Sequence, residues 1–433
     1  MSDFITLYII VLIGVNLNQT IEKINELMGQ SPSSIGTQHG DLCFANNGAN
    51  AIDLKNANIS GVGAQIIRDT VSTGPFLNYF LDEKLEWDVL LPAVRPVVSD
   101  VVIDCFGPNL TSSFNIGFLR NLSISKGVKN LLGERAENGV FCSILCDFNQ
   151  VTYSKFLNDS HHSVTYENLK SVQFYQEQKS LSWRQVKMEK LHDEILILAK
   201  KLGVDIKHYI PQSFLTKNII ETGSDFEKLL QNSYSYDSYG NYSYFALDVA
   251  YFSLLSRLST TVYSVYGHDQ IEHMDYVKQQ IGNKVNLIEV THGLVNIDSD
   301  INNRLVDFIF NNETLRQEID ALSLFFMSVL NSKPININNY DFVYKQIVKF
   351  KHILLRPTND YLKDGMVLES LDLQSALSII KFLQKRERAI SSLEPSFYVN
   401  ACSDLYYDAY KSSSQYRELL MDIATYYLKK ILQ

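Results

Sequence analysis

Two segments of this chain repeat one three-part pattern, and that pattern constrains the fold more than any other feature. In the first, Met188, Leu191, Ile195, Leu198 and Leu202 recur at three- and four-residue intervals, Gly203 follows, and Val204-Asp-Ile-Lys-His-Tyr-Ile210 continues as a run rich in β-branched and aromatic residues. In the second, Ile271, Met274, Val277 and Ile281 form the stripe, Gly282 follows, and Val285-Asn-Leu-Ile-Glu-Val290 is the run. Apolar residues at this period predict an amphipathic helix, and a glycine immediately after it supplies the left-handed C′ position. A short apolar run then predicts a strand. Helix and strand in alternation predict an α/β fold.

Further short runs at 88–91, 97–103, 140–145 and 260–266 are apolar without alternation. That is the habit of strands covered on both faces, so the expectation is a Rossmann-like, mostly parallel sheet in one or two lobes. Beyond Ile301 the character changes. Leu373, Leu377, Ile380 and Leu383 make one stripe, Leu420, Ile423, Tyr427 and Ile431 make another, and no strand is expected there. Breaks at Pro334, Pro357 and Pro395 divide this helical C-terminal region into about five helices. The predicted organisation is an α/β domain at 1–215, a Tyr-rich hairpin with a second βαβ unit at 216–300, and a helical region at 301–433. The hairpin is read from Ser233-Tyr-Ser-Tyr-Asp-Ser-Tyr-Gly-Asn-Tyr-Ser-Tyr244, where Tyr alternates with Ser on either side of a Gly-Asn turn.

Composition narrows the function classes. With 433 residues, 9 Pro and 20 Gly, the chain has the size for a large core and lacks the bias of disordered or collagen-like sequences. Its 39 basic and 48 acidic residues give a net charge of −9, which excludes a chain-wide electrostatic grip on nucleic acid or anionic lipid. The 5 cysteines are odd in number and lack metal-binding spacing, so a reduced, cytoplasmic setting is expected. The apolar run Phe4 to Val15 is shorter than the ~20 residues a membrane span requires, and is read as a buried strand, with an uncleaved anchor as the alternative.

In open parallel sheets, ligands bind beyond the carboxyl ends of the strands, where loops and helix N-termini converge. By that rule the βαβ unit at 260–298 places Gly267-His268-Asp269 and Thr291-His292-Gly293 on one edge. His292, His268 and Asp104 are the expected catalytic residues, as base or diphosphate contact. Asp269, Asn109, Asp147, Asn149 and Asn16 are the expected ligand-binding residues, each at a strand end or in the turn beyond one. The segment His268-Asp-Gln-Ile-Glu-His273 does not match a helical zinc motif, because its two histidines are five residues apart, about 140° round a helix. No metal site is expected, and no cofactor is identified. Neither a P-loop nor a Gly-x-Ser-x-Gly elbow occurs.

The segment Val101-Val-Ile-Asp104-Cys-Phe-Gly-Pro-Asn109 resembles the catalytic strand of Rossmann-fold RNA ribose methyltransferases. Those enzymes carry a Gly-rich loop for S-adenosylmethionine and a later Lys, which Asp53 to Gly63 and Cys142 to Asp147 do not supply, so the resemblance implies a divergent relative. A two-lobed arrangement is similar to that of glycosyltransferases. The expected function is therefore a transferase-like protein holding a nucleotide-linked donor in a cleft. The alternative is a non-catalytic assembly or interaction protein of nucleocapsid, capsid or regulatory type. For that class, and for nucleic acid, the relevant feature is a basic cluster, Lys345, Lys349, Lys381, Lys385, Arg386 and Arg388, interspersed with Tyr344, Phe350 and Phe382.

Overall fold

The computed structural model describes residues 34–37, 40–45, 67–82, 87–91, 101–105, 107, 116–136, 138–146, 197–212, 215, 242–311, 313–358 and 366–433. The expected strand at Phe4–Val15, Asn16, Asn109, Asp147, Asn149, the loop at Asp53–Gly63 and the Tyr-rich residues 233–241 lie outside the described residues. The chain forms two compact units. One comprises Met1–Arg95, Arg356–Ser392 and Phe397–Lys430; the other comprises Pro96–Leu355, Leu393–Ser396 and Ile431–Gln433.

In the first unit, strands β1 (Ser34–Thr37), β2 (Gly40–Ala45), β3 (Ile67–Thr73) and β4 (Phe76–Leu81) form an antiparallel sheet in the order β1-β2-β4-β3. Leu42, Phe44, Tyr79 and Leu81 are fully buried, and the Phe44 and Tyr79 rings meet edge to face at 5.7 Å. Trp87–Leu91 (β5) pairs antiparallel with Met366–Leu371 (β13). This corrects two expectations: the run at 88–91 is not part of a parallel sheet, and a strand does exist beyond Ile301. Helices at Leu373–Ser392, Pro395–Lys411 and Arg417–Lys430 follow, the first burying the predicted stripe of Leu373, Leu377, Ile380 and Leu383.

The second unit is built on a five-stranded, wholly parallel sheet. Its strands are β6 (Val101–Asp104), β7 (Val140–Leu145), β8 (Ile206–Pro211), β9 (Thr261–Gly267) and β10 (Asn286–His292), in the order β10-β9-β6-β7-β8. The expected Rossmann-like parallel sheet is therefore present. The two expected edges belong to one sheet, which corrects the two-lobed reading. Starting from β6, the chain adds β7 and β8 on one side, then returns to add β9 and β10 on the other. That is the doubly wound order, with its switch point between β6 and β9.

Helix α1 (Ile116–Leu132) follows β6, and α2 (Tyr244–Leu255) and α3 (Ile271–Ile281) flank β9 in the chain. One sheet face packs on α2 and α3 in a core that includes Val102, Cys142, Val262, Tyr266, Ala250, Phe252, Met274, Val277 and Ile281. Both glycines of the three-part pattern adopt positive φ, +70° at Gly203 and +59° at Gly282, so each ends its helix in the backbone region that side-chain-bearing residues avoid. Tyr244 does not continue a hairpin strand. It opens α2, because the Ser243 hydroxyl caps the helix by accepting from the Ala246 N–H at 3.2 Å.

After β10 the chain forms β11 (Val295–Ile297), parallel to β12 (Ile335–Ile337), then α4 (Ser299–Phe310), α5 (Arg316–Ser328) and α6 (Tyr340–Leu354). β12 is a second strand where only helices were expected. Counting from α4, six helices rather than five follow among the described residues. No described helix is long and apolar enough to cross a membrane.

Candidate functional site

A cavity of about 890 Å³ opens at the carboxyl edge of the parallel sheet, at its switch point. The ends of β6, β9 and β10 contribute Asp104, Ser264 to Gly267, and His292. The first turns of α1 add Gly117, Phe118 and Asn121. From α2 come Tyr244, Asp248 and Tyr251, and from the turn into α3 come Asp269, Gln270 and His273. Among the described lining residues there are three carboxylates, Asp104, Asp248 and Asp269, and no Lys or Arg.

Asp104 is the most constrained of the three. It is the last residue of β6, in register with Ser264 of β9 and Cys142 of β7. Strand alternation points it to the same face as Val102, toward α2. There its carboxylate accepts hydrogen bonds from the Tyr251 hydroxyl at 2.9 Å and the Ser264 hydroxyl at 2.6 Å. Burial raises its pKa from 3.8 to about 6; the two hydroxyl bonds oppose the rise and the charge of Asp248 adds to it. Asp104 thus titrates near neutrality inside a cavity, a property that concentrates at functional sites.

His292 is buried at 4% exposure. Its Nδ1 lies 2.9 Å from the Gly293 carbonyl, and its Nε2 lies against the Asn121 side-chain amide. Burial lowers its pKa to about 4, with the Gly293 carbonyl opposing and Arg120 reinforcing the shift. The ring is therefore neutral at pH 7, and its single N–H serves one of two oxygen acceptors, the Gly293 carbonyl at Nδ1 or Asn121 Oδ1 at Nε2. The Thr291-His292-Gly293 loop was expected to face a diphosphate. In that loop the Gly293 N–H donates to the Asn331 carbonyl at 2.7 Å, and the Gly293 carbonyl accepts from Arg120. Asp269 lines the cavity mouth, and His268, half-buried in the same turn, is not among the lining residues. The structure thus brings together Asp104, Asp269 and His292.

Sequence reasoning missed Asn121, Asp248, Tyr251, Ser264 and His273. Asp248 and Tyr251 sit one turn apart on α2, and the His273 Nε2 is 2.7 Å from Asp248. The available signal was Ser243 before an apolar helical run, which would have placed Asp248 one turn into a helix entering the sheet edge.

The residues of the expected basic stripe are divided between the two units. Lys345 and Lys349 belong to one unit, while Lys381, Lys385, Arg386 and Arg388 belong to the other. Phe350 and Phe382 are core residues, at 2% and 1% exposure. Lys385 pairs with Asp404 at 2.6 Å, Arg386 with Glu387 at 3.2 Å, and Arg388 lies over the Phe397 ring at 4.0 Å. Among the described residues, no group of three or more His, Cys, Asp or Glu side chains converges to hold a metal.

The two buried titrating groups have opposite effects on stability. Asp104 has a raised native pKa, so its ionisation costs the fold about 3 kcal/mol above pH 6, a cost removed as pH falls toward 3.8. His292 has a lowered native pKa, so stability falls by about 3 kcal/mol as pH drops from 6.5 toward 4. In the native protein these nearly cancel over that window. Asp104→Asn is expected to be more stable than the parent at pH 7.5, by up to about 3 kcal/mol, and to lose stability steeply in acid. Urea melts at pH 4, 5.5 and 7.5 measure this, and parallel pH profiles for parent and variant would refute it.

No protein-family model and no curated protein matches the sequence. Solved structures do. The chain is similar to arginyl-tRNA synthetase from Plasmodium falciparum, at 17% identity over 96% of each chain with a TM-score of 0.57. It is similar to Thermus thermophilus arginyl-tRNA synthetase at 11% identity, over 96% of this chain and 97% of that one, with a TM-score of 0.54. A putative arginyl-tRNA synthetase from Campylobacter jejuni matches at 13% identity over 78% of this chain and 92% of that one, with a TM-score of 0.52. At such identities the likeness shows a shared fold. The shared fold is Rossmann-like, and the likeness does not support the glycosyltransferase or ribose-methyltransferase readings.

Proposed function

We propose that the switch-point cavity binds a cationic amino acid, with free arginine as the first ligand to test, in a synthetase-like domain that also binds a nucleotide. The observation that carries this reading is the charge of the cavity. Three carboxylates line it, and no Lys or Arg does so among the described residues. A guanidinium or ammonium group is the ligand chemistry that repays desolvating such a wall. The arginyl-tRNA synthetases to which the fold is similar handle an amino acid of that charge. The nucleotide reading rests on the doubly wound topology and on the first turn of α1 reaching the cavity, where the positive end of the helix dipole favours phosphate. A tRNA partner follows from the same likeness.

Isothermal titration with L-arginine, L-citrulline and ATP tests the reading. Citrulline keeps the shape of arginine and removes its charge. The expected result is saturable arginine binding, little or no citrulline binding, and a loss of about 10- to 100-fold in arginine affinity for Asp248→Asn, the range for a charge-assisted contact. Equal binding of arginine and citrulline would sink the charge argument. Arginine-dependent aminoacylation of tRNA separates an enzyme from a non-catalytic binding protein. The second class draws support from His292, whose buried ring is packed between the Gly293 carbonyl and Asn121 Oδ1.

A further inference from the structure

We infer that His273 sets the charge selectivity of the cavity: held 2.7 Å from Asp248, its protonated ring neutralises the carboxylate that a cationic ligand needs, whereas its neutral ring leaves that carboxylate its charge and at most a single uncharged hydrogen bond. The inference rests on the cationic-ligand reading above.

The geometry points this way for three reasons. His273 and Asp248 both line the cavity, so their contact is made in the wall that a ligand would touch. The two come from different helices, α3 and α2, and the Phe245 ring stands edge-on to the imidazole at 6.5 Å and 87°, which packs the imidazole against α2. Asp248 keeps 21% of its side chain exposed and His273 keeps 27%, so a ligand can reach the pair without unfolding either helix.

The groups around the pair bear on its titration. Asp248 and Tyr244 face the cavity from α2, Asp269 from the turn before α3, and Tyr266 from β9; Asp104 and His292 complete the wall from β6 and β10. Of these, Asp248 acts directly on His273 and raises its pKa through the hydrogen bond and through its charge, against the lowering by burial. Asp104 also titrates near neutrality, and its protonation weakens cation binding in the same direction as protonation of His273. The test must separate the two.

His273→Gln does so, because Gln donates an N–H to Asp248 without titrating and leaves Asp104 in place. Arginine affinity is measured by calorimetry from pH 5.5 to 8.5 for the parent and for this variant. In the parent the affinity is expected to fall on acidification by up to tenfold per pH unit below the His273 midpoint, the limit for one linked proton. In His273→Gln the steepest part of that fall is lost, and affinity at pH 6 exceeds that of the parent. An independent readout needs no variant: saturating arginine at pH 6.5 is expected to move the His273 ring resonances toward the neutral position. Arginine binding with the same pH profile in both proteins, or with unmoved His273 resonances, overturns this inference and leaves the proposed ligand intact. Absence of arginine binding at every pH overturns both.

Discussion

Gly293→Ala is expected to destabilise the protein by about 3 kcal/mol or more, the upper end for forced overpacking. A Cβ at this position would sit 2.5 Å from the backbone carbon and oxygen of Lys333 and from the Pro334 nitrogen, and backbone cannot rotate away as a side chain can. The close approach is held by hydrogen bonds in both directions. The Gly293 N–H donates to the Asn331 carbonyl at 2.7 Å, and the Ile335 N–H donates to the Leu294 carbonyl at 2.9 Å. These bonds seat β11 against β12. Leu294, Val295 and Asn296 on this segment line the cavity, so arginine affinity should fall along with stability. Urea denaturation and calorimetry measure the two effects. A variant as stable as the parent would show that the 331–335 segment gives way readily.

Arg120→Met is expected to cost about 1–3 kcal/mol, the range for depriving a buried acceptor of its donor. Arg120 lies within α1 and is fully buried, and burial lowers its pKa to about 10. Its guanidinium serves three carbonyls: Gly293, Leu330 at 3.2 Å and Lys333 at 3.0 Å. Met fills similar volume but donates nothing: the Lys333 carbonyl loses its Arg120 hydrogen bond, while the Leu330 carbonyl keeps the Lys333 N–H at 2.9 Å and the Gly293 carbonyl still faces His292 Nδ1 at 2.9 Å. Lys is not expected to rescue the site, because a single ammonium cannot reproduce the planar fork that reaches three acceptors. Gly293→Ala and Arg120→Met act on one joint, so the double variant should lose less than the sum of the two. Additive losses would mean that the joint is two independent contacts.

The parts of the fold that were legible in the sequence are those written in local periodicity. The stripe at Ile271, Met274, Val277 and Ile281 became α3, with Met274, Val277 and Ile281 buried, and the glycines after both predicted helices took the positive φ that made them informative. The unalternating runs at 101–103, 140–145, 261–266 and 286–290 became parallel strands because burial on both faces removes the polar positions that alternation would show. The run at 88–91 looks the same in sequence yet pairs antiparallel with Met366–Leu371. Direction and partner are set by chain segments hundreds of residues away, and a short apolar run carries no record of them.

The site divides along the same line. That Asp104, Asp269 and His292 line one cavity was legible because strand ends and the rule about sheet edges can both be read along the chain. The role of His292 could not be. What keeps its ring neutral is burial beside Asn121, 171 positions away in the chain, together with the nearby charge of Arg120. Asp248 and His273 are 25 residues apart and become a pair only because α2 and α3 pack on the same sheet face.

By itself, then, the sequence determined that this protein would contain helices and buried parallel strands in alternation, with acids and histidines at strand ends, because residue type and spacing dictate local conformation and burial. Only the tertiary structure decided that the two strand groups share one sheet, that its switch point opens into a carboxylate-lined cavity, and that a glycine and a buried arginine lock the segment forming one wall. Those features depend on which distant surfaces exclude water together, and that is a property of the folded chain rather than of any stretch of it.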